Sequence, residues 1–119
     1  MYYYTYIIRC EKDTLYTGIA KDISHRMKEH AGRVKRSAKY TKSHKIVSLE
    51  ALWTSADRAS ASRLEYAIKT LTKKEKEALI KDPKLLAGFL PRIEKEDFVY
   101  HPKASLPLFL GEIRLSDLP

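Results

Sequence analysis

Two short tyrosine-bearing runs lie near the start of this 119-residue chain, Tyr4-Thr5-Tyr6 and Tyr16-Thr17-Gly18. Arg26 and His30 follow, and their spacing puts them on one face of a helix. Glu65 and Lys69 repeat that spacing further on. An unperturbed phenol titrates near pH ~10, so Tyr6 or Tyr16 can act as a base only beside positive charge, which Arg26 would supply. His30 can orient Arg26, touch an anion or carry a proton. Other chemistries lack their parts. Gly18, Gly32, Gly88 and Gly111 are too scattered to form a phosphate-cradling loop. Cys10 with His25, His30, His44 and His101 makes no standard zinc spacing. No Gly-x-Ser-x-Gly elbow is present.

These residues must be positioned by short elements. Tyr2 to Cys10 is rich in β-branched and aromatic residues, and Leu15 to Ile19 is strand-like again, so the pair reads as an antiparallel hairpin across Glu11-Lys12-Asp13. The hairpin carries a register condition. A two-residue loop would pair Arg9 with Tyr16 and send the two tyrosines to opposite faces. A shared site needs a three-residue loop or a bulge, with Ile8 opposite Tyr16 and Tyr6 opposite Gly18, or a register two residues along. Asp22 caps a short helix from Ile23 to Ala31, and Gly32 ends it. Val47 to Trp53 alternates as a third strand, with Val47, Leu49, Ala51 and Trp53 on one face and Ser48 and Glu50 on the other. Asp57 caps a helix through Leu71 whose apolar stripe is Ala61, Leu64, Ala67, Ile68 and Leu71. Thr72-Lys73-Lys74-Glu75 is a capping box that starts another, which Asp82-Pro83 stops.

Residues 1–82 thus read as one domain, with 83–119 as an extension that packs on the same body or mediates dimerisation. In it Leu85, Leu86, Phe89 and Leu90 are apolar enough to pack. Pro91, Pro102 and Pro107 break the remainder, leaving candidate strands at Phe98–Tyr100 and Leu108–Leu115.

Charge points to an anionic partner. The chain carries net charge +8. Residues 1–54 hold 11 Lys/Arg against 5 Asp/Glu, while residues 82–119 hold 5 against 6. The excess belongs to the first two thirds, as expected of a part that meets nucleic acid. Between Arg33 and Lys45 lie six Lys/Arg in thirteen residues. There Arg33, Lys35, Arg36, Lys39 and Lys42 would grip backbone phosphates without reading sequence, with Tyr40 stacking on a base or holding the loop down. A single cysteine, an N-terminus without a signal-peptide pattern and no long apolar run lead to the expectation of a cytoplasmic protein.

Tyr4-Thr5-Tyr6-Ile7-Ile8-Arg9-Cys10, Leu15-Tyr16-Thr17-Gly18, Arg26, His30, Ala38-Lys39-Tyr40-Thr41 and Arg63-Leu64-Glu65-Tyr66-Ala67-Ile68-Lys69 together resemble the GIY-YIG nuclease domain, in particular its small stand-alone bacterial members of the YhbQ type. The resemblance spans residues 2–81. It implies an α+β fold, a three-stranded antiparallel sheet flanked by helices, and a structure-selective endonuclease cutting nucleic acid, DNA ahead of RNA, with one Mg²⁺ or Mn²⁺. By this resemblance Tyr6 and Tyr16 position or deprotonate the attacking water, Gly18 lets the backbone turn closely into the site, Arg26 holds the scissile phosphate and Glu65 binds the metal. Tyr4 replaces the first motif's glycine. Ile19 stands where some members have lysine, leaving Lys21 as the nearest amine for substrate, and Lys69 beside Glu65 is a further contact.

Each residue alone has a plainer role: strand tyrosines pack, helix arginines are solvated, and an exposed Glu–Lys pair is worth only ~0.3–0.5 kcal/mol. The joint order carries the nuclease reading. Two others stand beside it, a catalytically weak nucleic-acid-binding module on the same fold and a protein-interaction domain using the apolar tail.

Overall fold

Burial of the first strand on both faces organises the fold. The computed structural model describes residues 2–32, 44–90 and 93–112. In β1 (Tyr3–Cys10) the run Thr5 to Ile8 is fully buried, as expected of a central strand covered above and below. It pairs antiparallel with β2 (Thr14–Ala20) on one side and β3 (Ile46–Ser55) on the other. A fourth strand, β4 (Val99–Tyr100), adds to β3, giving the order β2-β1-β3-β4. The fold is α+β as expected, but the sheet has four strands rather than three, because two residues of the extension reach back to Trp53 and Thr54.

The hairpin meets its register condition. Glu11–Asp13 form a three-residue 3-10 turn, with Lys12 and Asp13 both at positive φ. Ile8 therefore faces Tyr16 and Tyr6 faces Gly18. Both tyrosines project to the same side.

The third strand departs from the simple alternation. Ile7 pairs with Ala51 but Ile8 pairs with Leu49, so Glu50 is an extra residue in a β-bulge. The bulge turns Leu49 away from Ala51 and Trp53 and packs it with Tyr6, Ile8 and Leu52 on the other face. Val47, which the alternation groups with Leu49, Ala51 and Trp53, is exposed, beside the second register shift, between Arg9 and Cys10.

One face of the sheet carries Ile7, Ala51 and Trp53 against α2 (Arg58–Lys69) and α3 (Lys73–Lys81), through Leu64, Ile68 and Leu79. Each of these three is fully buried, worth roughly 1.5–3 kcal/mol apiece. Asp57 caps α2 by accepting from Ser60 N–H, and the Thr72–Glu75 capping box opens α3. The second helix ends at Lys69 rather than Leu71, where Thr70 closes it with a hydroxyl donated to the Ala67 carbonyl. A short α4 (Leu86–Phe89) adds Leu86 and Leu90 to this core.

The opposite face carries Tyr6, Ile8, Leu49 and Leu52 beneath α1 (Ile23–His30), whose Ile23 and Met27 are buried. The last helix, α5 (Leu106–Phe109), packs here too. Its position overturns the start of the strand expected over Leu108–Leu115, of which 113–115 lie outside the described residues: Pro107 stands in the first turn, where a missing N–H costs nothing, and Ser105 caps it. Among the described residues no helix is long and apolar enough to cross a membrane.

Candidate active site

Under α1 the sheet presents Tyr6, Tyr16 and the bare backbone of Gly18 side by side, and α1 adds Arg26 and His30. Asp22 fixes the start of α1 by accepting from His25 N–H, so Arg26 and His30, four residues apart, project toward the sheet together. The rings form a tight set. Tyr6 and Tyr16 centroids are 6.5 Å apart, and His30 lies 5.6 Å from each, edge-on to both.

A chain of hydrogen bonds runs through the set. Arg26 Nε donates to the Tyr6 hydroxyl at 3.2 Å, and that hydroxyl lies 2.8 Å from His30 Nε2. The protonation states give the bonds their direction. Burial pushes the Tyr6 phenol well above its ordinary value, although Arg26 pulls the other way. Burial, followed by the charge of Arg26, holds His30 down at about 4. A protonated phenol beside a neutral imidazole donates to Nε2 while it accepts from Arg26. Arg26 stays charged, because its contact with Tyr6 and the charges around it outweigh its own burial. Positive charge nearby is the condition on which Tyr6 or Tyr16 could act as a base; at Tyr6 burial is the larger effect and works against it.

Gly18 serves by absence. Its φ is not positive, so no unusual backbone requires it. A Cβ there would sit 2.5 Å from the Tyr6 hydroxyl and 3.1 Å from Tyr16 Cε1. The glycine leaves room for the tyrosine pair.

Glu65 comes from the other layer. It pairs with Lys69 at 3.4 Å, and its carboxylate is among the charges felt by the Tyr6 hydroxyl. Lys21 stands in a separate cleft of about 310 Å³ with Tyr3 and Arg58. Arg33, Lys35, Arg36, Lys39, Tyr40 and Lys42 lie outside the described residues. Sequence reasoning missed Glu29, which reaches Arg26 at 3.5 Å and His25 at 3.8 Å. Its i,i+3 spacing from Arg26 was the available signal.

A sheet of this order, with two tyrosines on one face, an arginine on the following helix and a carboxylate on a later one, defines a class. Residues 2–78 match the GIY-YIG catalytic domain. The chain belongs to that family. Its relatives within the family include UPF0213 proteins. The chain is similar to one from Fusobacterium nucleatum, 46% identical over 83 residues, covering 70% of this chain and 81% of the relative. It is also similar to the UPF0213 protein YhbQ of Salmonella arizonae, 33% identical over 92 residues, covering 77% and 90% respectively. A solution NMR structure of the UPF0213 protein from Bacillus halodurans is 34% identical, covers 68% of this chain and 84% of that one, and superposes with a TM-score of 0.43.

Proposed function

We propose that this chain is a metal-assisted endonuclease that hydrolyses phosphodiester bonds in DNA, selecting structure rather than sequence. The observation that supports it best is the hydrogen-bonded chain Arg26–Tyr6–His30 on the face shared with Tyr16. Arg26 spends its Nε on Tyr6 and has one terminal nitrogen 3.5 Å from Glu29, which leaves its other terminal nitrogen as the main donor for a phosphate oxygen. Tyr6, kept protonated by burial, fixes the arginine and does not take the proton from water. His30 is 3% exposed, so its role is to hold Tyr6 rather than to touch phosphate. Tyr16 is half-buried, and is therefore the tyrosine that meets the attacking water.

The donor set suits a weakly held hard cation. Among the described residues no three His, Cys, Asp or Glu side chains gather as a ready metal site. The Glu65 carboxylate, 24% exposed, is one such ligand. Mg²⁺ or Mn²⁺ tolerates this, keeping several waters and taking phosphate oxygens from the substrate. When bound, the cation supplies charge stabilisation to the leaving oxygen.

The test is cleavage of branched, nicked and single-stranded DNA in Mg²⁺ or Mn²⁺, comparing wild type with Glu65→Ala and Arg26→Ala. Metal-dependent cutting by the wild type, reduced at least ~10²-fold in both variants, is the expected result. Binding without cutting would instead select a nucleic-acid-binding module on the nuclease fold.

A further inference from the structure

The extension beyond the family match builds a second feature on the catalytic face. A cleft of about 700 Å³ opens between the start of the chain and residues 99–109. Tyr2 and Tyr4 line it from the first strand's end, His101 and Phe109 from the extension. We propose that this cleft receives an unstacked nucleobase of the bound strand, on the same face of the sheet as Tyr6. The inference rests on the nucleic-acid reading of the site.

Its position supports this occupant. Tyr4 precedes Tyr6 by two residues on β1, so the two side chains leave the same face about 7 Å apart. Leu52, which pairs with Tyr6 across β1 and β3, also lines the cleft. The cleft therefore shares a sheet face with Tyr6, flanking its buried ring on the β3 side, while the Tyr6 hydroxyl lies over Gly18 of β2.

Its chemistry supports it further. Four rings in one cleft offer flat faces for stacking, which every base can use. Among its lining residues the Thr54 hydroxyl and His101 Nε2 lie 2.9 Å apart, a polar pair beside apolar Leu52, Val99 and Leu108. Exposed Lys103 lines the same cleft and supplies a cation for a neighbouring phosphate. Rings to stack on, a polar pair and a cation match a nucleotide better than an aliphatic ligand. Tyr2 and Val99, each 60% exposed, both border this cleft. A base can enter only when it is not paired. The consequence is preference for single-stranded, gapped or branched DNA over intact duplex.

The experiment uses the full chain in EDTA with a 12-nucleotide single strand carrying one central 2-aminopurine, and a blunt duplex of the same sequence. Stacking is read as quenching of 2-aminopurine, and affinity by anisotropy. The expected result is quenching by the wild type, tighter binding of the strand than the duplex, and about tenfold weaker strand binding in Tyr2→Ala and in Lys103→Ala. Both side chains are exposed, and circular dichroism melts verify folding. Equal affinity for strand and duplex, or strand binding unchanged in Tyr2→Ala, overturns the proposal. Self-association abolished by Tyr2→Ala with strand binding intact overturns it too, assigning the cleft to a second copy. Because binding is measured without metal, the two readings separate. Cutting in Mg²⁺ without quenching removes the cleft and leaves the nuclease; quenching without cutting of any substrate supports the cleft and removes the nuclease.

Discussion

A methyl group at position 18 has nowhere to go. The Tyr6 ring it would strike is fully buried and held at its hydroxyl by Arg26 and His30. Gly18→Ala should therefore cost about 1–3 kcal/mol in denaturant unfolding, as overpacked cores do, and should reduce any cleavage more than it reduces binding. An unfolding midpoint unchanged from wild type would show that the space at Gly18 is not needed. His30 gives a second residue-scale prediction. Its folded value of about 4 lies below the ~6.5 of an unfolded imidazole. Between those values the unfolded chain binds a proton that the folded chain refuses. The contribution to stability is full above pH ~6.5 and is lost as pH falls toward 4, on the order of 3 kcal/mol across the window. Melting temperature should decline over that range in wild type and much less in His30→Gln, which cannot titrate; equal slopes would mean His30 is not the group responsible.

Elements are joined by Arg9, which leaves β1 to meet three carboxylates. It donates to Glu50 in the β3 bulge at 2.5 Å, to Glu77 on α3 at 2.5 and 2.8 Å, and to Asp13 in the hairpin turn. The guanidinium holds Glu77 below its ordinary range, and Lys73 with Arg9 does the same for Asp13. Depressed carboxylates stabilise the fold above their unfolded values near ~4, and that part is lost as pH falls through the folded ones. Arg9→Ala should lower stability by about 1–3 kcal/mol at neutral pH and flatten the acid limb of the melting curve; an unchanged acid limb would argue that the contacts are solvent-screened. The bulge that brings Glu50 here is also where the sequence was least readable. Alternation over Val47 to Trp53 describes a strand in isolation, whereas the extra residue exists only in pairing with β1. The hairpin register was readable because two tyrosines had to share a face, and that requirement excludes the one-residue slip. The Thr72–Glu75 capping box was readable because all its bonds are local.

At the scale of the whole molecule, legibility followed the range of the interactions. The tyrosines, Arg26, His30 and Glu65 form an ordered pattern that survives without coordinates, and so does the surplus of Lys and Arg in the first two thirds. The extension did not. Val99–Tyr100 is too short for a period and is a strand only because β3 offers an edge, while Leu106–Phe109 is a helix because a proline was tolerated in its first turn. Net charge, by contrast, needs no fold to act. A chain of +8 that contacts about four phosphates should lose about 10²-fold in affinity between 50 and 200 mM salt, since each neutralised phosphate releases a condensed counterion. The slope of log affinity against log salt measures that number for duplex and single strand alike. Replacing Lys35, Arg36 and Lys39 together by Ala should make the slope shallower by about three contacts while leaving sequence preference as weak as before. A slope that stays the same would move the phosphate grip from the basic segment to the described residues, where Lys103 borders one cleft and Lys21 and Arg58 border another.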